Sequence, residues 1–176
     1  MLSTPLTPFE LSRFIDAHRE EWARERMVRR IIWENSEYLT FLNRGPTPDP
    51  QYHIGPCDEL FVQQEGELHL HYLEGSERKL VVLRPGQMLF LPQGVPHSPR
   101  RPEGSWTVVV ERKRQPGQVD RFIWICAECS RQLDVIEAGG GPTDTRASDV
   151  PPFVSEVNQR LRALGSCPEC GAPVPV

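Results

Sequence analysis

The central part of the chain, from about residue 31 to residue 115, alternates short apolar segments with clusters of turn-forming residues. Runs rich in valine, leucine, isoleucine and aromatic residues are separated by turn clusters such as Glu74-Gly-Ser76 and Arg84-Pro-Gly86. Many short strands joined by such turns are typical of a β-sandwich or β-barrel. The sequence therefore predicts a mainly β domain with strands at residues 38–42, 59–64, 68–73, 79–83, 88–91 and 107–111.

An amphipathic helix is expected before these strands. Residues 7–10 have the pattern of a capping box, with a proline at the first helical position. His18 lies on the apolar stripe that follows, and packing against the strands is its simplest role. The spacing predicts a helix of about five turns. Its apolar stripe consists of Leu11, Phe14, Ile15 and Trp22.

Length and charge limit the possible partners. The 176 residues are enough for one ordinary domain with a short appendage. The net charge of −4 argues against nucleic acid, and no apolar run approaches the roughly 20 residues of a membrane span. The first ten residues lack the basic and apolar regions of a secretion signal. We therefore expect a cytoplasmic protein that binds neither nucleic acid nor membrane, although basic stretches such as 112–114 could hold a small anion.

Four cysteines lie in the last third of the chain, where the strand pattern thins and glycine and proline loops follow. Cys126 and Cys129 form one CxxC pair, and Cys167 and Cys170 form another. Two such pairs can complete a tetrahedral site of four thiolates for iron or zinc. Two disulfides are the alternative, but they fit a reducing compartment poorly. We expect two parts. Residues 1–115 form a barrel together with the N-terminal helix, and residues 116–176 form a C-terminal extension that this metal stabilises.

A second candidate metal site consists of His53, Glu59 and His97. These residues lie in turn and strand contexts on opposite sides of the predicted sheet region. Two imidazoles and one carboxylate on one face of an ion leave three positions open, which is the arrangement of non-heme Fe(II) oxygenases. Each residue alone has an ordinary explanation as a loop or surface residue. Their joint spacing favours the metal site.

The residues around this set resemble a known family. The pattern Gly86-x5-Pro92-x-Gly94-x2-His97 matches the second cupin motif, whereas the first motif is partial because Gln51 replaces its first histidine. The runs YH-x5-E-x-F-x-Q-x-E-G, LP-x2-VPHSP-x-RP and VVER are similar to those of 3-hydroxyanthranilate 3,4-dioxygenases. The resemblance covers nearly the entire chain, including the two CxxC pairs of the bacterial form.

The resemblance implies a cupin barrel, a double-stranded β-helix or jelly roll, in which His53, Glu59 and His97 bind Fe(II). It also implies that Arg101 grips the carboxylate of a small aromatic substrate and that Glu111 hydrogen-bonds its ring substituents. A guanidinium fork suits a carboxylate, and a carboxylate beside a metal can accept or return a proton.

The family's reaction uses O2 as cosubstrate. Both of its atoms enter an ortho-aminophenol or catechol ring, which opens to a semialdehyde that closes to quinolinate. The resemblance thus implies a rubredoxin-like iron or zinc site at the four cysteines and a homodimer. The kynurenine pathway and the assembly of a secondary metabolite from a hydroxyanthranilate unit are both open as its metabolic role.

Two residues depart from the family pattern. Asp49 stands where the family has a second carboxylate-binding arginine, and Arg29 stands where it tends to have asparagine in the loop leading to Trp33. Either Arg29 supplies the missing cation from another direction, or the substrate differs from 3-hydroxyanthranilate. A non-enzymatic cupin that binds a small ligand, and a cupin isomerase or decarboxylase with another metal, are the alternative functions.

Overall fold

Antiparallel strands in two facing sheets form most of the structure. The computed structural model describes residues 7–25, 28–33, 36–47, 51–139 and 152–174. One sheet has the order β1-β2-β9-β4-β7 and the other β11-β10-β3-β8-β5-β6. The elements are α1 Leu11–Arg24, β1 Arg29–Trp33, β2 Tyr38–Arg44, β3 Tyr52–Ile54, β4 Glu59–Glu65, β5 Leu68–Glu74, β6 Glu77–Leu83, β7 Met88–Leu91, β8 His97–Arg100, β9 Trp106–Arg112, β10 Val119–Ile125, β11 Gln132–Gly139 and α2 Pro152–Leu164.

The helix α1 begins later than the capping box predicts. Glu10 occupies the N-cap without a side-chain capping bond, and its carbonyl accepts the N–H of Phe14 at 2.9 Å. Phe9 lies before the helix and packs against Phe14 and Trp33. The helix therefore has 14 residues rather than five full turns.

Strands β2 and β9 are buried on both faces, because α1 covers one face and the barrel interior the other. Alternation along a strand sends successive side chains to opposite faces. The outer side chains Leu42, Trp106 and Val108 pack against Ile15 and Trp22 of α1. The inner set forms the core between the sheets and consists of Leu39, Phe41, Phe61, Leu68, Leu70, Leu83, Leu91 and Val109.

The six predicted strands are all present, and the described residues contain five more: β1, β3, β8, β10 and β11. The prediction that strands become sparse after residue 116 is wrong. Strand β10 pairs with β3 of the barrel and with β11, and α2 packs against them. The apolar cluster there consists of Trp124, Val157, Leu161 and Val174. The division at residue 115 stays a prediction, and any unit beginning at residue 116 would share a sheet with the barrel.

The two helices are short relative to a bilayer. Among the described residues, no helix is long and apolar enough to cross a membrane. The cytoplasmic location stays a prediction. The mainly β fold with an N-terminal helix and a C-terminal cysteine cluster is confirmed.

Candidate metal centre

The three predicted ligands meet between the two sheets. His53 on β3 is the register partner of His97 on β8, and Glu59 begins β4 on the opposite sheet. Glu59 Oε1 lies 3.5 Å from His53 Nδ1 and 3.4 Å from His97 Nε2. One donor atom from each residue lies within 4.8 Å of the others. This donor set fits a single Fe(II) ion, for which two histidines and a carboxylate are a known ligand set.

Each imidazole is oriented by its other nitrogen. His97 Nδ1 lies 3.0 Å from the carbonyl oxygen of Val95, and His53 Nε2 donates to Asp120 Oδ1 at 2.7 Å. Such partners hold a metal-binding imidazole in one orientation. Burial lowers the pKa of His53, but the hydrogen bonds to Asp120 and Glu59 outweigh burial and raise it to about 9. His97 Nε2 and His53 Nδ1 are thus the nitrogens that face Glu59.

Two glycines give the ligands their positions. A Cβ at Gly55 would lie 3.1 Å from both Glu59 Oε1 and His53 Cε1, so this residue leaves room for the two ligands to meet. Gly94 has φ +78°, a left-handed conformation that favours glycine, in the turn before His97. The glycine of the second cupin motif therefore shapes the approach to the third ligand.

A network of charged side chains extends from His53 to Glu111. Arg114 lies 2.6 Å from Asp120 Oδ1 through one terminal nitrogen and 2.9 Å from Glu111 Oε2 through the other. Its Nε also donates to both oxygens of Asp120. The side chains of Arg114, Glu111 and Asp120 are only 3%, 5% and 8% exposed. Together with the charge of His53, this contact lowers the pKa of Asp120 to about 2 against the effect of burial.

Sequence patterns do not single out Arg114 or Asp120. Arg114 stands out there only as part of a basic stretch, and Asp120 falls in the predicted C-terminal extension. The signal that could have found them is an aspartate on a strand that pairs with the strand of His53. That pairing is visible only in the structure.

Glu111 lies directly beside the triad, because it is the register partner of Glu59. Burial and the charge of Glu59 raise its pKa, while Arg114 and Arg29 oppose this shift. A carboxylate with a raised pKa is suited to accepting and returning a proton near neutral pH. Glu111 and Glu59 thus lie side by side on the same face of neighbouring strands.

Arg101 lies toward the other end of the inner face of β4 and β9. Its Nε donates to Thr107 Oγ1 at 3.1 Å, and NH1 donates to the carbonyl of Pro99 at 3.2 Å. No carboxylate of the described residues forms an ion pair with it, although it is only 7% exposed. Burial and the charge of Arg29 lower its pKa to about 9, so it remains a cation at neutral pH. A buried cation without an anionic partner is suited to an anionic ligand.

Arg29 lies on strand β1, and the expectation of a loop there is wrong. Strand formation follows from its antiparallel pairing with Asn43 of β2. The guanidinium carbon lies 3.4 Å from the ring centroid of Phe41, and NH2 is 3.8 Å from Glu111 Oε1. Among the residues that the structure describes, its buried Nε has no hydrogen-bond partner. Asp49 lies outside the described residues, so the consequence of its charge stays a prediction.

A cavity of about 430 Å³ opens onto Glu59 and Glu111. This volume is within the range of small-molecule sites, which is roughly 300–1,000 Å³. The cavity therefore lies at the end of β4 where Glu59 begins the strand, and Glu59 is the one residue of the triad in its lining. Its other lining residues are Tyr38, Cys57, Asp58, Leu60, Phe90, Gln93, Val110 and Arg112.

The four cysteines of the CxxC pairs form a separate cluster. Cys126 Sγ lies 3.6 Å from Cys170 Sγ, and Cys129 Sγ lies 3.6 Å from Cys167 Sγ, with all four within 4.8 Å. These distances exceed a disulfide bond of about 2.05 Å, which contradicts the disulfide alternative. Backbone N–H groups of Cys129 and Glu128 lower the pKa of Cys126 to about 6. The cluster fits one tetrahedrally bound iron or zinc ion.

A two-sheet barrel that holds two histidines and a glutamate between its sheets defines a cupin with a candidate metal site. A family model described as 3-hydroxyanthranilic acid dioxygenase matches residues 2–154, and the chain belongs to this family.

Curated relatives cover almost the whole chain. A 3-hydroxyanthranilate 3,4-dioxygenase of Bacillus thuringiensis is 30% identical over 99% of this chain and 95% of its own length. One of Burkholderia lata is 34% identical over 94% of this chain and 92% of its own length. A solved cupin-2 domain protein of Shewanella frigidimarina is 22% identical, with a TM-score of 0.44 over 54% of this chain and 91% of its own.

Proposed function

We propose that this protein is a non-heme Fe(II) dioxygenase that cleaves the ring of 3-hydroxyanthranilate or a closely related ortho-aminophenol. The observation that carries the proposal is the meeting of His53, Glu59 and His97 beside a cavity in a chain of this family. The curated relatives, which match over nearly their whole length, are named for this activity.

The ferrous ion would supply the joint activation of the aminophenol and O2 in its open positions. The protein's own part begins with Glu111, whose carboxylate lies beside Glu59 and has a raised pKa. It accepts the proton of the substrate hydroxyl as the substrate binds, and it returns a proton as the ring opens. Arg114 and Arg29 hold this carboxylate in place from two sides.

The substrate carboxylate would bind Arg101. Along the paired strands β4 and β9, the inner-face wall between the Glu59–Glu111 pair and Thr107, which accepts a hydrogen bond from Arg101, consists of the buried side chains of Phe61 and Val109. An aromatic ring packed on this wall would present its hydroxyl and amino groups to the triad and its carboxylate to the guanidinium. Arg29 adds a second cation on the side of Glu111, where it supports the negative charge that a carboxylated aminophenol brings.

The decisive experiment is an anaerobic titration of the Fe(II)-loaded protein followed by admission of oxygen. We expect 3-hydroxyanthranilate to bind without oxygen and then to consume one O2 per molecule as the aromatic ring is lost. His97→Ala provides the control that lacks the catalytic metal. If no aminophenol or catechol consumes O2 with the loaded protein, a ligand-binding cupin without this reaction takes the place of the dioxygenase.

The remaining features of the proposal are a structural metal, iron or zinc, at the four cysteines and a homodimer. The cysteine geometry supports the first, because the two knuckles bring four sulfurs together beside β10. Exposed apolar side chains on strand β7, Met88 and Phe90, support the second, because an uncovered sheet edge is a natural interface. Sedimentation of the purified chain measures the assembly directly.

A further inference from the structure

Arg114 touches two groups that serve different parts of the site. One edge of its planar guanidinium binds Asp120, the hydrogen-bond partner of the ligand His53. The other holds Glu111, the carboxylate beside the triad. A guanidinium can bind two carboxylates at once because its donors lie in a fixed planar fork. Its NH1 also donates to the carbonyl of Arg112, which fixes the plane of the fork.

We propose that Arg114 is a positioning residue that couples the orientation of the metal ligand His53 to the placement of Glu111. The chain of contacts runs from His53 Nε2 to Asp120 at 2.7 Å, from Asp120 to Arg114 at 2.6 Å, and from Arg114 to Glu111 at 2.9 Å. The inference deepens the proposed function and rests on it for the role of Glu111, whereas its metal-binding part stands independently.

A purely architectural salt bridge is the competing explanation, and the location of the contacts argues against it. Arg114 joins the segment after β9 to the start of β10, so it ties together one strand from each sheet at the metal. Asp120 Oδ1 accepts hydrogen bonds from both His53 and Arg114. Without Arg114, the buried carboxylate of Asp120 would keep His53 as its partner but would lose the cation that compensates its charge. Its angle to the imidazole would then no longer be fixed.

The first measurement is the affinity of the barrel site for Co(II). Full-length protein with zinc at the cysteines is titrated against a chromogenic chelator, and the absence of thiolate charge-transfer absorption shows that Co(II) is not at the cysteines. We expect Asp120→Asn and Arg114→Gln each to weaken affinity by about 10- to 100-fold, the usual effect of removing a partner that orients a ligand. The Co(II) affinity of the double variant should be no lower than that of the weaker-binding single variant, because Asp120 and Arg114 both act through His53.

Arg121→Gln is the matched control. Arg121 follows Asp120 on β10, but it is exposed and pairs with Glu137 at 2.8 Å on the surface. Its Co(II) affinity should equal that of the unmodified protein. Losses of Arg114→Gln and Asp120→Asn that multiply in the double variant would overturn the coupling, as would an Arg114→Gln protein that binds Co(II) within twofold of the unmodified chain.

Arg114→Lys keeps the experiment decisive if Arg114→Gln does not fold. A lysine retains the charge but cannot present a fork to both carboxylates. We expect a folded protein, by thermal unfolding, whose Co(II) affinity falls less than in Arg114→Gln and whose kcat falls more than its KM rises. Unchanged Co(II) affinity and unchanged kcat in Arg114→Lys would refute the inference. If no variant or parent protein consumes O2 but the Co(II) pattern holds, the proposed function fails and the coupling of Arg114 to the metal site stands.

Discussion

His97 has only 2% of its side chain exposed, and its Nε2 faces Glu59 while Nδ1 faces the carbonyl of Val95. A substitution there removes one of three donors without touching the cysteine cluster. We expect the unmodified chain to carry two metal ions, His97→Ala one, and Cys126→Ser at most one. Elemental analysis after gel filtration measures these counts. His69→Ala is the control, since His69 is paired with Glu67 at the surface of β5. Two metals in His97→Ala would contradict the triad.

Among the described residues, the guanidinium of Arg101 donates hydrogen bonds to two neutral acceptors, so its charge is available to a ligand. We expect Arg101→Gln to weaken anaerobic binding of 3-hydroxyanthranilate by about 10- to 100-fold, since a charge-assisted hydrogen bond contributes roughly 1.5–3 kcal/mol. Binding of 2-aminophenol, which lacks the carboxylate, should change less than twofold. An equal loss for both ligands would mean that Arg101 shapes the barrel without binding the carboxylate.

At the scale of single elements, α1 matters through one indole. Trp22 is fully buried and packs on Trp106 with ring centroids 5.1 Å apart, beneath the helix and on the outer face of β9. We expect Trp22→Ala to lower the free energy of unfolding by about 3–5 kcal/mol. Its indole N–H has no hydrogen-bond partner in the described part of the chain, so Trp22→Phe should lower the free energy of unfolding considerably less. Urea denaturation measures both, with exposed Arg24→Ala as the control. Equal losses in the alanine and phenylalanine variants would contradict the packing explanation.

The elements that the sequence predicted are those with long alternating or apolar runs. Strands β4, β5, β6 and β9 have such runs, and their bounds differ from the prediction by only one or two residues. The missed strands carry weaker local signals. Strand β3 has three residues, and β8 includes Pro99. The neighbouring strands, and not their own sequences, decide how β3 and β8 pair. The positions of His53 and His97 as ligands could therefore be predicted, whereas the residues that surround them could not.

The metal ligands were predictable because motif spacing reports on the turns that bring them together. The contacts that orient them were not, because Asp120 reaches His53 from the neighbouring strand β10, which lies 67 positions further along the chain. The same holds for Arg29, whose stacking on Phe41 depends on β1 joining the edge of the first sheet. Local sequence specifies donor types and turns, whereas partners across strands follow from tertiary pairing.

At the scale of the whole molecule, strand β10 joins the two metal sites. It carries Asp120 at one end and leads into Cys126 at the other, and it pairs with both β3 and β11. A metal at the cysteines would fix the far end of this strand, because the second CxxC pair follows α2, which packs on Trp124. Loosening that end should therefore reach the barrel site through β10.

We expect Cys126→Ser to increase hydrogen exchange in β11 and α2 strongly and in β10 moderately, while β4 and β9 stay protected. The Co(II) affinity of the barrel site should fall by a few-fold, less than in Asp120→Asn, because Asp120 remains but the strand that carries it is less restrained. His69→Ala is the control, since His69 pairs with Glu67 at the surface of β5 and belongs to neither candidate metal site. If exchange rises in β11 and α2 while barrel affinity is unchanged, the cysteine metal stabilises the C-terminal part alone and the two sites are independent.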